Sequence, residues 1–266
     1  LEAGADVLLM PPDPEAARDG VVTAVQEGRL SEDRLDASVR RILRVKEDLG
    51  LHETRKVPVE EVARRVGIRP HEEAAQEVAD RSITLLRNER NLLPLLGTRS
   101  ARVMSVAYRG STDLMAGRVL NRGLRARYPR LATANLNRDV PPEVYDGLLE
   151  RAKRSDLVVV SLFVTIVSYS GDLAIPEEIS GFIQDLAEAG VPHVVVSFGN
   201  PYLLREFPDA QAYLLAWSGA EVSQRAVARA LFGEIEIRGR TPTRIPPFFE
   251  IGDGIRVPVR EVGRDS

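Results

Sequence analysis

The side chains best suited to bind a ligand follow the most apolar run of the sequence. Ser168, Tyr169 and Asp172 come directly after the run from Leu157 to Val164. Hydroxyls and a carboxylate can hydrogen-bond a polyhydroxylated molecule, and an aromatic ring can stack on one of its faces. We therefore predict these three residues as substrate-binding positions, together with Met10 at the end of the first apolar run.

Other segments match known sites only weakly. Residues 108–111 could bind a phosphate at a helix N-terminus, but they match neither the G-x-G-x-x-G nor the Walker pattern. Ser218 does not lie in a G-x-S-x-G elbow, and capping the next helix suits it better. The three histidines, His52, His71 and His193, have no metal-ligand spacing. We predict no cofactor, no metal ion and no nucleotide, although an independent nucleotide-binding α/β domain stays an alternative.

Acidic residues cluster after the first apolar run. Asp6, Asp13 and Glu15 lie where a strand would meet the next helix. In a (β/α)8 barrel this edge carries the active site. Asp13 directly precedes a helical pattern, so we favour an N-cap over a ligand role.

Composition excludes several classes of protein. The chain has 266 residues, 44% of them apolar, and a formal net charge of −3 with both signs intermixed. This predicts a globular protein and gives no electrostatic reason to expect nucleic acid as a partner. The absence of cysteine excludes disulfides and thiolate metal sites. No apolar run reaches the roughly 18 residues that a membrane span requires. The composition predicts neither the cellular compartment nor the oligomeric state.

The first 50 residues predict one strand and two helices. The strand is Val7 to Met10, and helices follow at Pro14 to Gln26 and Ser31 to Leu49. In the second helix we expect a buried stripe of Leu35, Val39, Ile42, Leu43 and Leu49. Such a strand needs parallel neighbours, so we expect this region, residues 1–50, to be the end of a larger, truncated barrel. Residues 51–70 are polar, with two prolines, and are predicted as a linker.

From residue 71 the pattern alternates between helix and strand. Runs that are apolar on both faces, such as 157–160 and 194–196, are typical of a parallel sheet covered by helices on each side. We predict an α/β fold, an αβα sandwich over residues 71–233. The predicted strands are 83–86, 103–107, 157–164, 193–198 and 212–217, and the predicted helices are 71–81, 112–127, 143–153, 176–189 and 222–232. Residues 234–266 are rich in arginine and proline, and we expect an extension that wraps the surface without adding a strand.

Four long segments carry a resemblance to a known family. Residues 1–51, LEAGADVLLMPPDP followed by AVQEGRLSEDRLDASVRRILRVKEDLGL, resemble the end of the catalytic barrel of glycoside hydrolase family 3. The segments SITLLRNERNLLPL, VVVSFGNPY and ARALFGE, at 82–95, 194–202 and 228–234, are similar to the C-terminal sandwich of that family. The resemblance implies a retaining exo-hydrolase of β-linked sugars, with an Asp nucleophile on a barrel strand upstream of Val7.

The resemblance also suggests a subclass. In the β-glucosidase branch the acid/base Glu lies on a sandwich loop, and the corresponding loop here, Thr165 to Asp172, has no Glu. In the β-N-acetylglucosaminidase branch an Asp-His pair on a barrel loop does this work. We therefore favour a β-N-acetylglucosaminidase whose substrate binds through the missing barrel, and expect this chain alone to be inactive. A β-glucosidase with Asp172 as a displaced acid, and a non-catalytic carbohydrate-binding or scaffold module, remain alternatives.

Overall fold

The structure of this chain is a computed structural model that describes residues 1–110, 113, 115–164 and 175–260. The chain divides into two compact units, residues 1–68 and 69–266. Within the described ranges, every helix is too short or too polar to cross a membrane.

The first unit consists of three helices. They are α1 (Pro14–Gln26), α2 (Glu32–Asp48) and α3 (Val59–Arg65). The Asp13 carboxylate accepts hydrogen bonds from the backbone N–H groups of Glu15 and Ala16, and the Ser31 hydroxyl accepts one from Arg34. Both predicted N-caps and both predicted helices are thereby confirmed, and α3 falls within the segment predicted as a linker.

Two expectations for the first unit are wrong. Residues 7–10 do not form a strand, because no neighbouring strand lies within residues 1–68 to accept and donate ladder hydrogen bonds. The expected stripe on α2 is not buried: Val39, Leu43 and Leu49 are exposed, and the buried residue of this helix is Ser38. An amphipathic face is buried only where another apolar surface covers it.

The second unit alternates helices with the strands of one sheet. Two short 3₁₀ turns, Glu89–Asn91 and Pro201–Glu206, complete the described elements. In chain order the helices and strands of this unit are α4 (Arg69–Ser82), β1 (Thr84–Asn88), β2 (Val103–Arg109), α5 (Arg118–Arg127), β3 (Ala132–Leu136), α6 (Glu143–Ala152), β4 (Leu157–Phe163), α7 (Glu177–Glu188), β5 (His193–Ser197), β6 (Ala212–Leu215) and α8 (Glu221–Leu231).

The six strands have the order β1-β6-β5-β4-β2-β3, and all neighbours are parallel except β1 and β6. Successive residues of β4 point to opposite layers: Val159 packs with α4, α5 and α8, and Val160 packs with α6 and α7. Both faces of the central strands are therefore apolar. This confirms the predicted αβα sandwich with a mostly parallel sheet.

Two elements differ from the predicted pattern. β3 was not predicted, because this edge strand is short and its buried and exposed residues alternate without an apolar run. The predicted helix at 112–127 begins only at Arg118, since Gly117 has a left-handed φ of 78° that ends the preceding turn. Residue 112 itself lies outside the described residues.

The C-terminal extension contributes to the core. As predicted, its described part, residues 234–260, adds no strand to the sheet, although isolated bridges join Leu85 to Ile255 and Ile237 to Val257. Ile237 and Ile245 are nevertheless buried, so the expectation of a purely superficial extension is wrong. Ile237 belongs to the apolar core on one side of the sheet and Ile245 to the core on the other side.

Candidate active-site edge of the sandwich

The chain leaves the sheet in opposite directions after β2 and β4, which are neighbours. After β2 it enters α5 on one layer, and after β4 it enters α7 on the other. In open parallel sheets such a divergence opens a crevice at the carboxyl ends of the two strands, where ligands bind. This edge of the sheet, the switch-point edge, is the candidate site.

Two stacked phenylalanines form the floor of the switch-point edge. The rings of Phe163 and Phe198, at the ends of β4 and β5, have centroids 4.3 Å apart and an interplanar angle of 4°. A Cβ on Gly219 would lie 3.3 Å from Cδ1 of Phe163, and one on Gly117 would lie 3.2 Å from Cβ of Ala107. Glycines at these two positions therefore let the neighbouring connections lie close to the aromatic pair.

A buried glutamine joins two of these connections. The Gln224 side-chain oxygen accepts hydrogen bonds from the backbone N–H groups of Val119 (3.2 Å) and Leu120 (3.4 Å), at the start of α5. Its side-chain amide donates to the Gly219 carbonyl at 2.9 Å. Gln224 thereby caps a helix that has no capping side chain of its own. Sequence patterns did not single out Gln224, because the partners lie about a hundred residues away.

The connections after β2 and β6 are held by local hydrogen bonds. The Arg109 guanidinium donates to the Asp113 carbonyl, and the Asp113 carboxylate accepts from the backbone N–H of Ala116 at 3.0 Å. The guanidinium that could have bound a phosphate is thus engaged within the chain. The Ser218 hydroxyl accepts from the backbone N–H of Ala220 at 3.1 Å, but Ala220 is itself the N-cap of α8 and this helix has no side-chain cap, so the predicted capping role of Ser218 is wrong.

The connection after β5 is fastened to the end of β4. The backbone N–H of Asn200 donates to the Val164 carbonyl at 3.0 Å, and the Ser197 hydroxyl donates to the Asn200 carbonyl at 2.6 Å. The Asn200 side chain in turn accepts from the backbone N–H of Tyr202 at 2.9 Å. The described parts of the edge are therefore tied to one another by backbone and side-chain hydrogen bonds.

Residues 83–251 match the family model of the glycosyl hydrolase family 3 C-terminal domain, and this match covers more than half of the chain. The chain belongs to glycosyl hydrolase family 3. It is 27% identical, over 91% of its length, to a β-N-acetylglucosaminidase/β-glucosidase of Cellulomonas fimi, and it covers 44% of that protein. A lysosomal β-glucosidase of Dictyostelium discoideum is also 27% identical, over 96% of this chain and 38% of the relative.

A solved β-glucoside phosphorylase superposes on 90% of this family 3 chain with a TM-score of 0.64 and 26% identity. The superposition covers 43% of that structure. A β-glucosidase from Listeria innocua gives the same TM-score at 23% identity, over 90% of this chain and 35% of the other, and supports the fold. The chain thus spans less than half the length of the relatives it matches.

The predicted substrate-binding residues divide between two places in this family 3 chain. Ser168, Tyr169 and Asp172 lie outside the described residues, in the connection between Val164 and Ile175 that leaves β4 at the switch-point edge. Met10 lies in the first unit, where its side chain is 86% exposed and its φ is 51°. All four assignments stay predictions.

The histidines have structural or surface positions. His193 is fully buried: one ring nitrogen lies 2.8 Å from the Val191 carbonyl, and the other accepts from the backbone N–H of Gln211 at 3.1 Å. Burial lowers the pKa of His193, which keeps the ring neutral. His52 and His71 are exposed. In the ranges that the structure describes, no three His, Asp or Glu side chains converge in a way that could hold a metal ion.

Asp6 is part of an ion-pair network that holds the start of the chain to α2. Its carboxylate accepts hydrogen bonds from Arg41 at 2.7 and 2.8 Å, from Ser38 at 2.7 Å and from Arg34 at 3.1 Å. The Arg41 contact, followed by that of Ser38, lowers the pKa of Asp6 well below its usual value. Asp6 therefore has a structural role.

We expect the stability of the first unit to depend on pH through Asp6. A carboxyl group whose pKa is lower in the folded state stabilises the fold above its unfolded pKa, here 3.8, and loses this contribution as the pH falls. Asp6→Asn should destabilise the unit at neutral pH and flatten this acid dependence. Amide exchange of α2 at pH 7 and at acidic pH, compared with Asp36→Asn as a surface control, measures the effect. Equal pH profiles for wild type and Asp6→Asn would contradict the assignment.

Proposed function

We propose that this chain is the C-terminal part of a retaining exo-glycosidase that acts on β-linked N-acetylglucosamine. In this proposal residues 1–50 end the catalytic barrel, 51–70 link it to the sandwich, 71–233 form the sandwich and 234–266 extend it. The sandwich supports the barrel and brings the connection after β4 to the sugar site. Membership of family 3 and the named activity of the Cellulomonas fimi relative support this function.

The observation that carries the proposal is the position and composition of the connection between Val164 and Ile175. It leaves the central strand β4 at the switch-point edge, where parallel sheets bind ligands. Its sequence, TIVSYSGDLA, has hydroxyls, an aromatic ring and one carboxylate, but no Glu. These groups suit recognition of a sugar, and the absence of Glu favours the branch in which the barrel supplies the acid/base.

Retaining hydrolysis defines what the remainder of the active site must contain. A nucleophile attacks the anomeric carbon, and an acid protonates the leaving oxygen before acting as base towards water. By resemblance, the nucleophile is an Asp of the barrel upstream of Val7, and an Asp-His pair on another barrel loop is the acid/base. Residues of this chain then bind and orient the sugar through Met10, Ser168, Tyr169 and Asp172.

A β-glucosidase is the second candidate, because several relatives carry that name. In that case Asp172 would be the acid that protonates the leaving group. Asp172→Asn in the longer polypeptide that contains this chain separates the two. If Asp172 is the acid, kcat on substrates with poor leaving groups should fall by about 10²–10⁴. With substrates whose leaving group needs no protonation, added azide should raise kcat, because it attacks the glycosyl-enzyme without a general base. If the acid is in the barrel, kcat should change little and azide should have no effect.

Substrate choice is tested with matched aryl glycosides. The longer polypeptide is expected to hydrolyse 4-nitrophenyl N-acetyl-β-glucosaminide with a higher kcat/KM than 4-nitrophenyl β-glucoside. The two substrates differ only at carbon 2, so the ratio reports recognition of the acetamido group. A preference for the glucoside would overturn the proposed specificity while leaving family membership intact.

Tyr169→Ala is expected to lower kcat/KM of the longer polypeptide by an amount equivalent to about 1–3 kcal/mol, because the sugar loses a packing and hydrogen-bonding partner in the transition state. Tyr169→Phe, the matched control, keeps the ring and should retain the stacking part of this effect. Both variants should unfold at the wild-type denaturant concentration, since a loop side chain contributes little to stability. An unchanged kcat/KM for Tyr169→Ala would mean that the sandwich only supports the barrel.

A further inference from the structure

The outer face of α5 carries a row of arginines. Arg118, Arg122 and Arg125 are exposed, whereas Leu120 and Leu124 on the other side of the helix are buried. Spacings of four and three residues place the three guanidinium groups along one side of the helix, over about 10 Å. We call these three residues the arginine row.

The charge around the arginine row contrasts with the rest of the chain. The protein has a formal net charge of −3, yet the sequence between Asp113 and Asp139 has six arginines and no acidic residue. The ion pairs formed between described residues include neither the row nor Arg127 and Arg130. The segment therefore presents a concentrated positive charge.

This arrangement destabilises the helix in the absence of a ligand. Like charges four residues apart repel each other. In addition, Arg118 is the first residue of α5, where the helix dipole disfavours a cation, and no acidic residue occupies the first turn. A ligand with negative charge would remove both penalties.

The described residues of α8, which packs against α5, and of β3, which follows α5 in the chain, do not neutralise the row. On α8, Arg229 pairs with Asp80 and Arg225 bonds to the uncharged Gln76, which leaves Glu221 as the acidic residue of that helix. The edge strand β3 presents the uncharged Thr133 and Asn135. Among the residues that the structure describes, the row therefore remains positive, and its arginines are exposed.

We propose that the arginine row binds the carboxylates of an anionic polysaccharide. This inference rests on the proposed function and narrows its substrate class to polymers of β-linked N-acetylglucosamine that carry acidic groups. α5 begins at the switch-point edge, where Gly117 lies beside Phe163. A glycan that reaches this edge meets Arg118 first, and Arg122 and Arg125 continue the path. A guanidinium group binds a carboxylate with two parallel hydrogen bonds.

The test measures binding by the 266-residue chain to two soluble sugars. Hyaluronan oligosaccharides carry β-linked N-acetylglucosamine and a carboxylate in each repeat, and chitooligosaccharides of equal length are neutral. The variant Arg118→Gln/Arg122→Gln/Arg125→Gln keeps helix propensity, because glutamine and arginine are similar in this respect. The control Arg151→Gln/Arg154→Gln/Arg205→Gln makes the same change of net charge at exposed positions outside α5.

Wild type and control are expected to bind hyaluronan at low salt, with an affinity that falls as salt rises. The row variant should bind it at least about tenfold more weakly, with a shallower salt dependence. Equal hyaluronan affinity of row variant and control would overturn the proposal. The proposal would also be overturned if the chain bound a short DNA duplex as tightly as hyaluronan at the same salt. The row would then bind any polyanion and would not be specific for an acidic glycan.

The proposed function is tested separately from the arginine row. Hydrolysis of a neutral aryl N-acetyl-β-glucosaminide by the longer polypeptide does not need the row, since that substrate carries no charge. Absence of hyaluronan binding by the wild-type chain, together with hydrolysis of the neutral substrate by the longer polypeptide, would refute the row and leave the proposed function standing. Tight hyaluronan binding without hydrolysis of either neutral glycoside would support the row and refute the proposed function.

Discussion

The 266-residue chain is expected to release no measurable product from aryl N-acetyl-β-glucosaminides or aryl β-glucosides. A (β/α)8 barrel needs eight strand–helix units in about 250 residues, whereas residues 1–68 form three helices and no strand. Removing a catalytic nucleophile alone typically lowers turnover by about 10⁶. In the proposed function the strands that hold the nucleophile lie outside residues 1–266, so we expect activity at the level of the buffer.

Three described carboxyl groups are unsuited to act as the acid in such a reaction. Asp6, Glu150 and Asp156 have clearly shifted pKa values, and a cationic side chain lowers each of them, chiefly Arg41, Lys153 and Arg102 in that order. A general acid in glycoside hydrolysis needs the opposite shift, since it must stay protonated near neutral pH. These three carboxyl groups serve as ion-pair partners.

The assay needs a positive control and a purity test. The longer polypeptide that contains the barrel is measured in parallel at the same molar concentration. Turnover by the short chain that follows it through a second purification step would contradict the expectation. It would also mean that a nucleophile and an acid are both present in residues 1–266.

The sandwich was largely predictable from the sequence because its central strands are apolar on both faces. Runs such as Val158 to Val160 and Val194 to Val196 have few alternatives to a buried parallel strand. β3 was missed because partly buried and exposed residues alternate along it and only Leu136 is buried, so Ala132 to Leu136 has no apolar run. The other edge strand, β1, was predicted because it begins with three consecutive buried residues.

Residues 1–50 show the reverse case, in which local signals were right and the tertiary expectation was wrong. The caps of α1 and α2 depend on bonds within a few residues, and both were predicted correctly. The strand at Val7 and the buried stripe of α2 depend on distant partners, and neither forms. Helix caps can be predicted from residues that are close in the sequence, whereas the burial of a side chain depends on which other element packs against it.

In the candidate site, too, the contacts between distant residues were not predictable from the sequence. The switch-point edge follows from strand order. The residues after β4 were predicted as substrate-binding positions because they follow the most apolar run of the sequence, and this stays a prediction. The contacts that hold the edge together join distant residues: Phe163 with Phe198 and Gly219, and Gln224 with Leu120. No periodicity or motif encodes these pairs, so sequence reasoning could not name them.

The C-terminal extension is expected to contribute to the stability of the second unit through close backbone contact, and Gly239→Ala tests this. The backbone N–H of Gly239 donates to the Ile83 carbonyl at 3.0 Å. A Cβ at this position would lie 2.5 Å from that carbonyl oxygen and 2.6 Å from the carbonyl oxygen of Ser82. Backbone atoms at the start of β1 cannot move aside as a flexible side chain can. We therefore expect a loss of about 3 kcal/mol in the free energy of unfolding.

The protein provides both a probe and a control for this measurement. Trp217 is the only tryptophan in the sequence, and its indole N–H donates to the same Ser82 carbonyl at 3.1 Å, so its fluorescence reports on this contact. Gly181→Ala in α7 is the matched control, because its Cβ would meet no atom within 4 Å and alanine favours a helix by up to about 1 kcal/mol. Urea unfolding should therefore shift in opposite directions for the two variants. A closely packed backbone cannot accept a methyl group without a loss of stability. If Gly239→Ala unfolded at the wild-type urea concentration, the extension would therefore lie loosely on the sheet. Its buried residues would then contribute little to the free energy of unfolding.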